Sequence, residues 1–175
     1  MKPLLIILSG LPFSGKSTIA QKLSDALDIP ILSYDNDIYA YHKTSVPPRT
    51  SAAKEYDIIQ SIAREQLQTL LIKGDSIIYD DLNLEKSDRQ LLVELCRACK
   101  AQEIIVYADT PVAVIEQRRQ DNLAINTRSH IDEATMQLDI SLLQPPSDDE
   151  HAIYITPGKS VAEVVRQIHD RASNK

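Results

Sequence analysis

Gly10-Leu11-Pro12-Phe13-Ser14-Gly15-Lys16-Ser17 spells G-x-x-x-x-G-K-S in full, and its flanks decide what it means. Before it, Leu4 to Leu8 is a continuous apolar run. After it, Ile19, Ala20, Leu23, Ala26 and Leu27 recur at helical spacing from Lys16 onward. A glycine turn that leaves a buried strand and opens a helix is the context in which this motif binds phosphate. Its glycines let backbone N–H groups turn inward onto phosphate oxygens, and the helix N-terminus adds partial positive charge. In this arrangement Lys16 reaches the β- and γ-phosphates and the Ser17 hydroxyl ligates magnesium. The expected nucleotide-binding set is Gly10, Leu11, Pro12, Phe13, Ser14, Gly15, Lys16, Ser17 and Thr18, with ATP and Mg²⁺ as cofactors.

Working outward, apolar segments alternate with helical patterns to the end of the chain, as in a parallel sheet built from βαβ units. Ile29 to Leu32 reads as a second strand, Ser76 to Tyr79 as a third, Glu103 to Tyr107 as a fourth and Ala152 to Ile155 as a fifth. Helices are expected from about Ala52 to Lys73, closed by Gly74, and from about Glu85 to Lys100. Thr110-Pro111 predicts a helix start, with a capping hydroxyl and proline at the first helical position. Two more helices are read at about Ile131 to Leu143 and Val161 to Ala172.

The 175 residues suit one domain, 1–175, with a core of ordinary size. No apolar run approaches the roughly 20 residues that span a bilayer. The apolar stretch near Met1 is too short for a signal peptide and runs directly into the glycine loop, so it reads as a strand. A net charge of −6 argues against a broad basic surface for duplex nucleic acid. The two cysteines, Cys96 and Cys99, are too few for a disulfide scaffold and fall on an apolar helix face as small hydrophobes. A cytoplasmic location and no membrane partner are the expectation.

Phosphoryl transfer needs a carboxylate to support the metal, a base for the acceptor and cations over the moving group. Asp80 and Asp81 stand at the end of the third strand, and alternation along the strand turns only one of them to the metal. Asp35, in Ser33-Tyr34-Asp35-Asn36-Asp37 after the second strand, lies at the carboxyl edge where ligands bind such sheets, which makes it the candidate base. Arg118, Arg119 and Arg128 bracket a polar, glycine-free segment, about 118–130, suited to a lid. The tyrosines and cations between Tyr34 and Tyr56, among them Lys43 and Arg49, suit either an acceptor pocket or an ordinary surface. His130, His151 and His169 have no evident partners in the pattern and read as structural or exposed.

Phosphate loop, Asp35, the Asp81-Leu82-Asn83-Leu84 stretch with Arg89 downstream and the arginine-bearing lid together resemble the small P-loop kinases related to polynucleotide kinase, zeta toxins and chloramphenicol phosphotransferase. The resemblance implies a three-layer α/β fold, with a five-stranded parallel sheet of order 2-3-1-4-5, helices on both faces and a short lid. It implies Asp35 as base, Asp81 as the family's acid and metal support, and Arg118 as the phosphate-contacting arginine. A second lid arginine of polynucleotide kinase would fall near Asn122, so its role passes to Arg128 or is absent. The function implied is ATP-dependent transfer of the γ-phosphoryl group to a hydroxyl acceptor, a small molecule or a nucleic-acid end. An RNA or DNA end is open but not favoured by the charge. The alternative is a nucleotide-dependent switch or binding module; no N-K-x-D stretch supports a guanine-selective version.

Overall fold

The computed structural model describes residues 2–33, 52–125 and 130–173, with backbone alone for 52–59. Its core is one five-stranded parallel sheet of order β2-β3-β1-β4-β5, as expected. In chain order the elements are β1 (Leu4–Ser9), α1 (Lys16–Leu27), β2 (Ile31–Ser33), α2 (Ala52–Lys73), β3 (Ile77–Asp80) and α3 (Lys86–Ala98). They continue with β4 (Gln102–Ala108), α4 (Val112–Ile125), α5 (Glu133–Leu142), a 3₁₀ turn (Asp148–Glu150), β5 (Ile153–Ile155) and α6 (Val161–Ser173).

The unbroken apolar character of β1 follows from its place. It is the middle strand, with Ile6 opposite Ile78 on one side and Ile104 on the other, and all six of its residues are buried. Alternation splits its side chains between two layers. Leu5 and Ile7 join Leu67 and Leu71 of α2 and Leu92 and Cys96 of α3. Leu4, Ile6 and Leu8 join Ala20 and Leu23 of α1 and Val164 and Ile168 of α6. The same alternation in β3 sends Ile78 towards α1 and Tyr79 towards α2 and α3.

Several boundaries move for local reasons. β2 begins at Ile31 rather than Ile29, because Pro30 has no N–H to give the ladder and contributes only its carbonyl, to Ile78. α3 ends at Ala98: Lys100 enters the left-handed region at φ 56°, and the Ala101 N–H reaches back to the Cys96 carbonyl at 2.8 Å, closing the helix. Thr110 does not cap α4. The N–H groups of Val114 and Ile115 bond instead to the Pro111 carbonyl, and the Thr110 hydroxyl donates to Ser14 in the phosphate loop. The expected lid is helical over its first half, since α4 continues to Ile125.

Both cysteines lie with the α2–α3 layer as read from the sequence, Cys96 fully buried. Burial, with Glu103 and Cys99 adding to it, pushes the Cys96 thiol up to about 12. The thiolate is the reactive form. Native protein at neutral pH is therefore expected to leave Cys96 unlabelled by a thiol reagent, with labelling appearing on denaturation; rapid native labelling of Cys96, located by peptide mapping, would contradict this burial.

Candidate active site

The turn after β1 has its sharp geometry from three residues with positive φ. Gly10 adopts φ 140° and Gly15 φ 104°. A Cβ on Gly10 would lie 3.1 Å from the Ala108 carbonyl oxygen and 3.3 Å from Ser14 Oγ, so neither backbone angle nor space admits a side chain. At Gly15 a Cβ would meet Arg118 Nη1 at an ordinary contact distance of 3.6 Å, and only the backbone angle demands glycine. Phe13, at φ 60°, bears the same left-handed conformation as a bulky residue and is held by packing with Leu11, Leu84, Ile115 and Met136.

Three polar side chains grip the carbonyls of this loop from different elements. Lys16 Nζ donates to Gly10 and Leu11 at 2.9 and 2.8 Å. Arg118 Nη1, from α4, donates to Phe13 at 2.9 Å and Ser14 at 3.0 Å. Thr110 Oγ1, at the end of β4, donates to Ser14 at 2.9 Å. Ser14 Oγ is buried with no hydrogen-bond partner. A buried hydroxyl left unbonded inside a glycine cradle is what a ligand oxygen would satisfy, so the loop fits a phosphate. Ser17 and Thr18, the next residues along α1, are exposed.

Asp80 and Asp81 separate as strand geometry requires. Asp80 closes β3 in alternation with Ile78, on the α1 side. Asp81 belongs to the opposite side: its Oδ2 accepts from the Tyr79 hydroxyl at 2.9 Å and from Gln60 of α2 at 3.0 Å, and its Oδ1 from the Leu82 N–H at 2.7 Å. The carboxylate expected to support a metal beside Ser17 thus bonds towards α2. Among the described residues no three His, Cys, Asp or Glu side chains form a metal cluster. Magnesium does not need one, since one or two protein oxygens plus phosphate oxygens and waters complete its shell.

Asn83 and Arg89 carry the resemblance beyond the loop, and both hold backbone. Asn83 sits at φ 43°, its Nδ2 donates to Leu8 at 2.7 Å, and its carbonyl accepts from Ser9 Oγ at 2.9 Å, tying the turn after β3 to the end of β1. Arg89 is fully buried. Its Nη1 donates to the carbonyls of Asn83 and Leu84, both at 3.0 Å, and its remaining donors form a two-pronged pair with Glu150 at 2.6 and 3.0 Å.

Arg118 and Arg119 diverge because successive helical residues point about 100° apart. Arg119 turns away from the loop to pair with Glu116 and Glu133, so it joins α4 to α5. Hydrogen bonds from Arg119 and Gln120 hold the Glu116 carboxyl down at about 2. Asn122 is buried and lines the cleft beside Arg118. His130, His151 and His169 are exposed. Asp35, Arg128, Lys43 and Arg49 lie outside the described residues.

A second part of the site was not read from the sequence. A cleft of about 420 Å³ runs from the phosphate loop between α1 and α4 to the turn Thr156-Pro157-Gly158-Lys159 after β5. Ile19, Ile125 and Ile155 give it apolar walls, and Lys22 and Lys159 stand at its rim. The Pro157-Gly158 pair at the carboxyl end of a strand was the available signal, because such edges are where parallel sheets bind ligands.

Comparison with known proteins agrees with this geometry. The fold matches APS kinase CysC of Mycobacterium tuberculosis, solved with AMPPNP and APS, at a TM-score of 0.71 and 18% identity over 99% of both chains. It matches Kti12 of Chaetomium thermophilum, solved with ADP-AlF3, at 0.79 and 17% identity over 95% of this chain and 97% of that one. A gluconokinase of Sinorhizobium meliloti matches at 0.63 and 18% identity over 94% and 89%. No curated protein matches. The profile of AAA_33, described as an AAA domain, covers residues 5–146. With the phosphate loop, the strand order and the match over most of its length agreeing, the chain belongs to the AAA_33 family and has the fold of the small P-loop kinases.

Proposed function

We propose that the protein is an ATP-dependent phosphotransferase that moves the γ-phosphoryl group to a hydroxyl acceptor with the help of Mg²⁺. The observation that carries this reading is the phosphate loop itself, gripped by Lys16, Arg118 and Thr110 and lined by the unpartnered Ser14 hydroxyl. In this reading the loop N–H groups and Ser14 take phosphate oxygens, and Lys16 exchanges its carbonyl partners for the β- and γ-phosphates. Ser17 and Asp80 hold the metal, which, when bound, offsets charge on the β- and γ-oxygens. Asp81, fixed by Tyr79 and Gln60, belongs to the acceptor side. Nucleoside lies in the cleft between α1, α4 and the Thr156–Lys159 turn, whose volume suits it. Arg118 stabilises the transferring group from α4, Arg128 joins it from the segment after that helix, and Asp35 takes the acceptor's proton.

The test uses ATP labelled at the γ-phosphate against a panel of sugars, nucleosides, adenylyl sulfate, aminoglycosides and RNA 5′-ends. Transfer to one class is expected. Asp35→Asn should keep ATP affinity within about threefold and lose transfer by about 10²–10⁴-fold, the usual contribution of a general base. Near-normal transfer by Asp35→Asn would remove Asp35 from the role. Failure of every acceptor, combined with ATP-dependent capture of a protein partner, would favour the switch over the kinase.

A further inference from the structure

The inner face of α5 carries one charged residue among apolar ones. Met136, Ile140 and Leu143 pack against Leu11 and Phe13 of the phosphate loop and Leu82 and Leu84 of the turn after β3. Asp139 follows Met136 by three residues, which places it on the same side of the helix. It is half-buried, and no hydrogen bond to its carboxylate is found among the described residues. Burial raises its pKa, with the charge of Lys16 acting in the opposite direction, so carboxylate and ammonium are within electrostatic reach. Lys16 meanwhile donates to loop carbonyls, so Asp139 is not its hydrogen-bonding partner in that pair of contacts.

A half-buried carboxylate with no hydrogen-bond donor among the described residues is partly desolvated, which is unfavourable in itself, and a leucine at this position would pack as its neighbours do. What the carboxylate adds is a negative charge on the helix face that packs against Leu11 and Phe13 of the loop, within electrostatic reach of the lysine that would receive the phosphates. ATP free of metal carries about four negative charges and its magnesium complex about two, so such a charge opposes the bare nucleotide about twice as strongly. Rejection of the wrong form by a built-in repulsion is a recognised route to specificity.

We propose that Asp139 is a specificity-determining residue that selects magnesium-complexed ATP over the bare nucleotide by repelling phosphates whose charge is not neutralised. This rests on the reading of the loop as an ATP site. Asp139 acts without contact to the reacting atoms, through the field it sets at the phosphate loop.

ATP binding is measured by calorimetry with excess Mg²⁺ and with EDTA, at matched ionic strength, for wild type, Asp139→Asn, Asp139→Glu and Asp170→Asn. Asp170 is an exposed acid on α6 and controls for the change in net charge. Asp139→Asn should bind bare ATP about tenfold more tightly and the magnesium complex less than about threefold more tightly, so that the preference for the complex shrinks. Asp139→Glu, which keeps the charge, should keep the preference, and Asp170→Asn should leave it unchanged. An unaltered preference in Asp139→Asn, equal tightening of both forms, or weakened binding of the complex would each overturn the proposal. Should Asp139→Asn not fold, loss of the preference in Asp139→Glu would overturn it on its own, and its retention would support it. Wild-type protein that binds ATP in neither buffer would instead remove the ATP site, and this inference with it.

Discussion

Replacement of Lys16 by alanine is expected to raise the dissociation constant for ATP by at least about a hundredfold. Lys16 is only 7% exposed, and its ammonium rests on the Gly10 and Leu11 carbonyls. A hydrogen bond to a charged group is worth about 1.5–3 kcal/mol net, and about 1.4 kcal/mol corresponds to a factor of ten in affinity. Loss of one or two contacts to phosphate therefore accounts for the hundredfold. The measurement is titration with ATP in Mg²⁺, below the melting temperature of both proteins. Lys16→Met, which keeps much of the aliphatic stem, should lose affinity to a similar extent, because the charge is what matters. A dissociation constant within threefold of wild type for both variants would show that Lys16 has no part in binding nucleotide.

The second large effect concerns stability. Arg89→Met should destabilise the fold by about 3–5 kcal/mol, the usual cost of removing one partner of a buried ion pair. Glu150, 7% exposed in its side chain, would be left without its pair, and the Asn83 and Leu84 carbonyls would lose a donor. At about 2–4 °C per kcal/mol for a domain of this size, the melting temperature should fall by about 6–20 °C. Combining Arg89→Met with Glu150→Leu should recover part of the loss, since the second change removes the orphaned charge. Melting within a few degrees of wild type for the single variant would contradict the structure. The same pair makes stability depend on pH. Burial pushes the Glu150 carboxyl up, but hydrogen bonds from Arg89 and Ser147 outweigh it and the net shift is down. A carboxyl depressed in the folded state contributes fully above its unfolded pKa and loses that contribution as pH falls through the folded one. The tie should therefore weaken only in acid.

The sheet order was legible because a glycine loop after an apolar run, followed by regular alternation of strand and helix patterns, leaves few topologies. Element ends were less so: Pro30 sets the start of β2 through a missing donor, and left-handed Lys100 the end of α3. In the site, local patterns named residues but not the partners they hold. Asn83 and Arg89 were visible as part of a motif, yet Arg89 meets Glu150 at a separation of 61 residues, which no spacing rule reveals. Thr110 reads locally as a helix cap, but the Ser14 carbonyl, 96 residues away, claims its hydroxyl. Which partners Asp81 takes could not be read locally either, since they are Tyr79 beside it and Gln60 on α2. Asp139 gave no signal at all, since one acid in an amphipathic helix is ordinary until the surface under it is known.

The central position of β1 has a consequence for how the protein is made. The strand that launches the phosphate loop pairs with residues near 78 and near 104, so its neighbours are synthesised long after it. A nascent chain that ends before β4 holds the whole G-x-x-x-x-G-K-S motif but lacks Ala108 and Thr110, which bound and anchor the turn. Non-local pairing of this kind slows folding, because a large loop must close before any contact rewards it. A nucleotide bound as proposed would thus recognise the chain only once its distant halves have met, and by mass action it would then favour the assembled state over the growing or unfolded one.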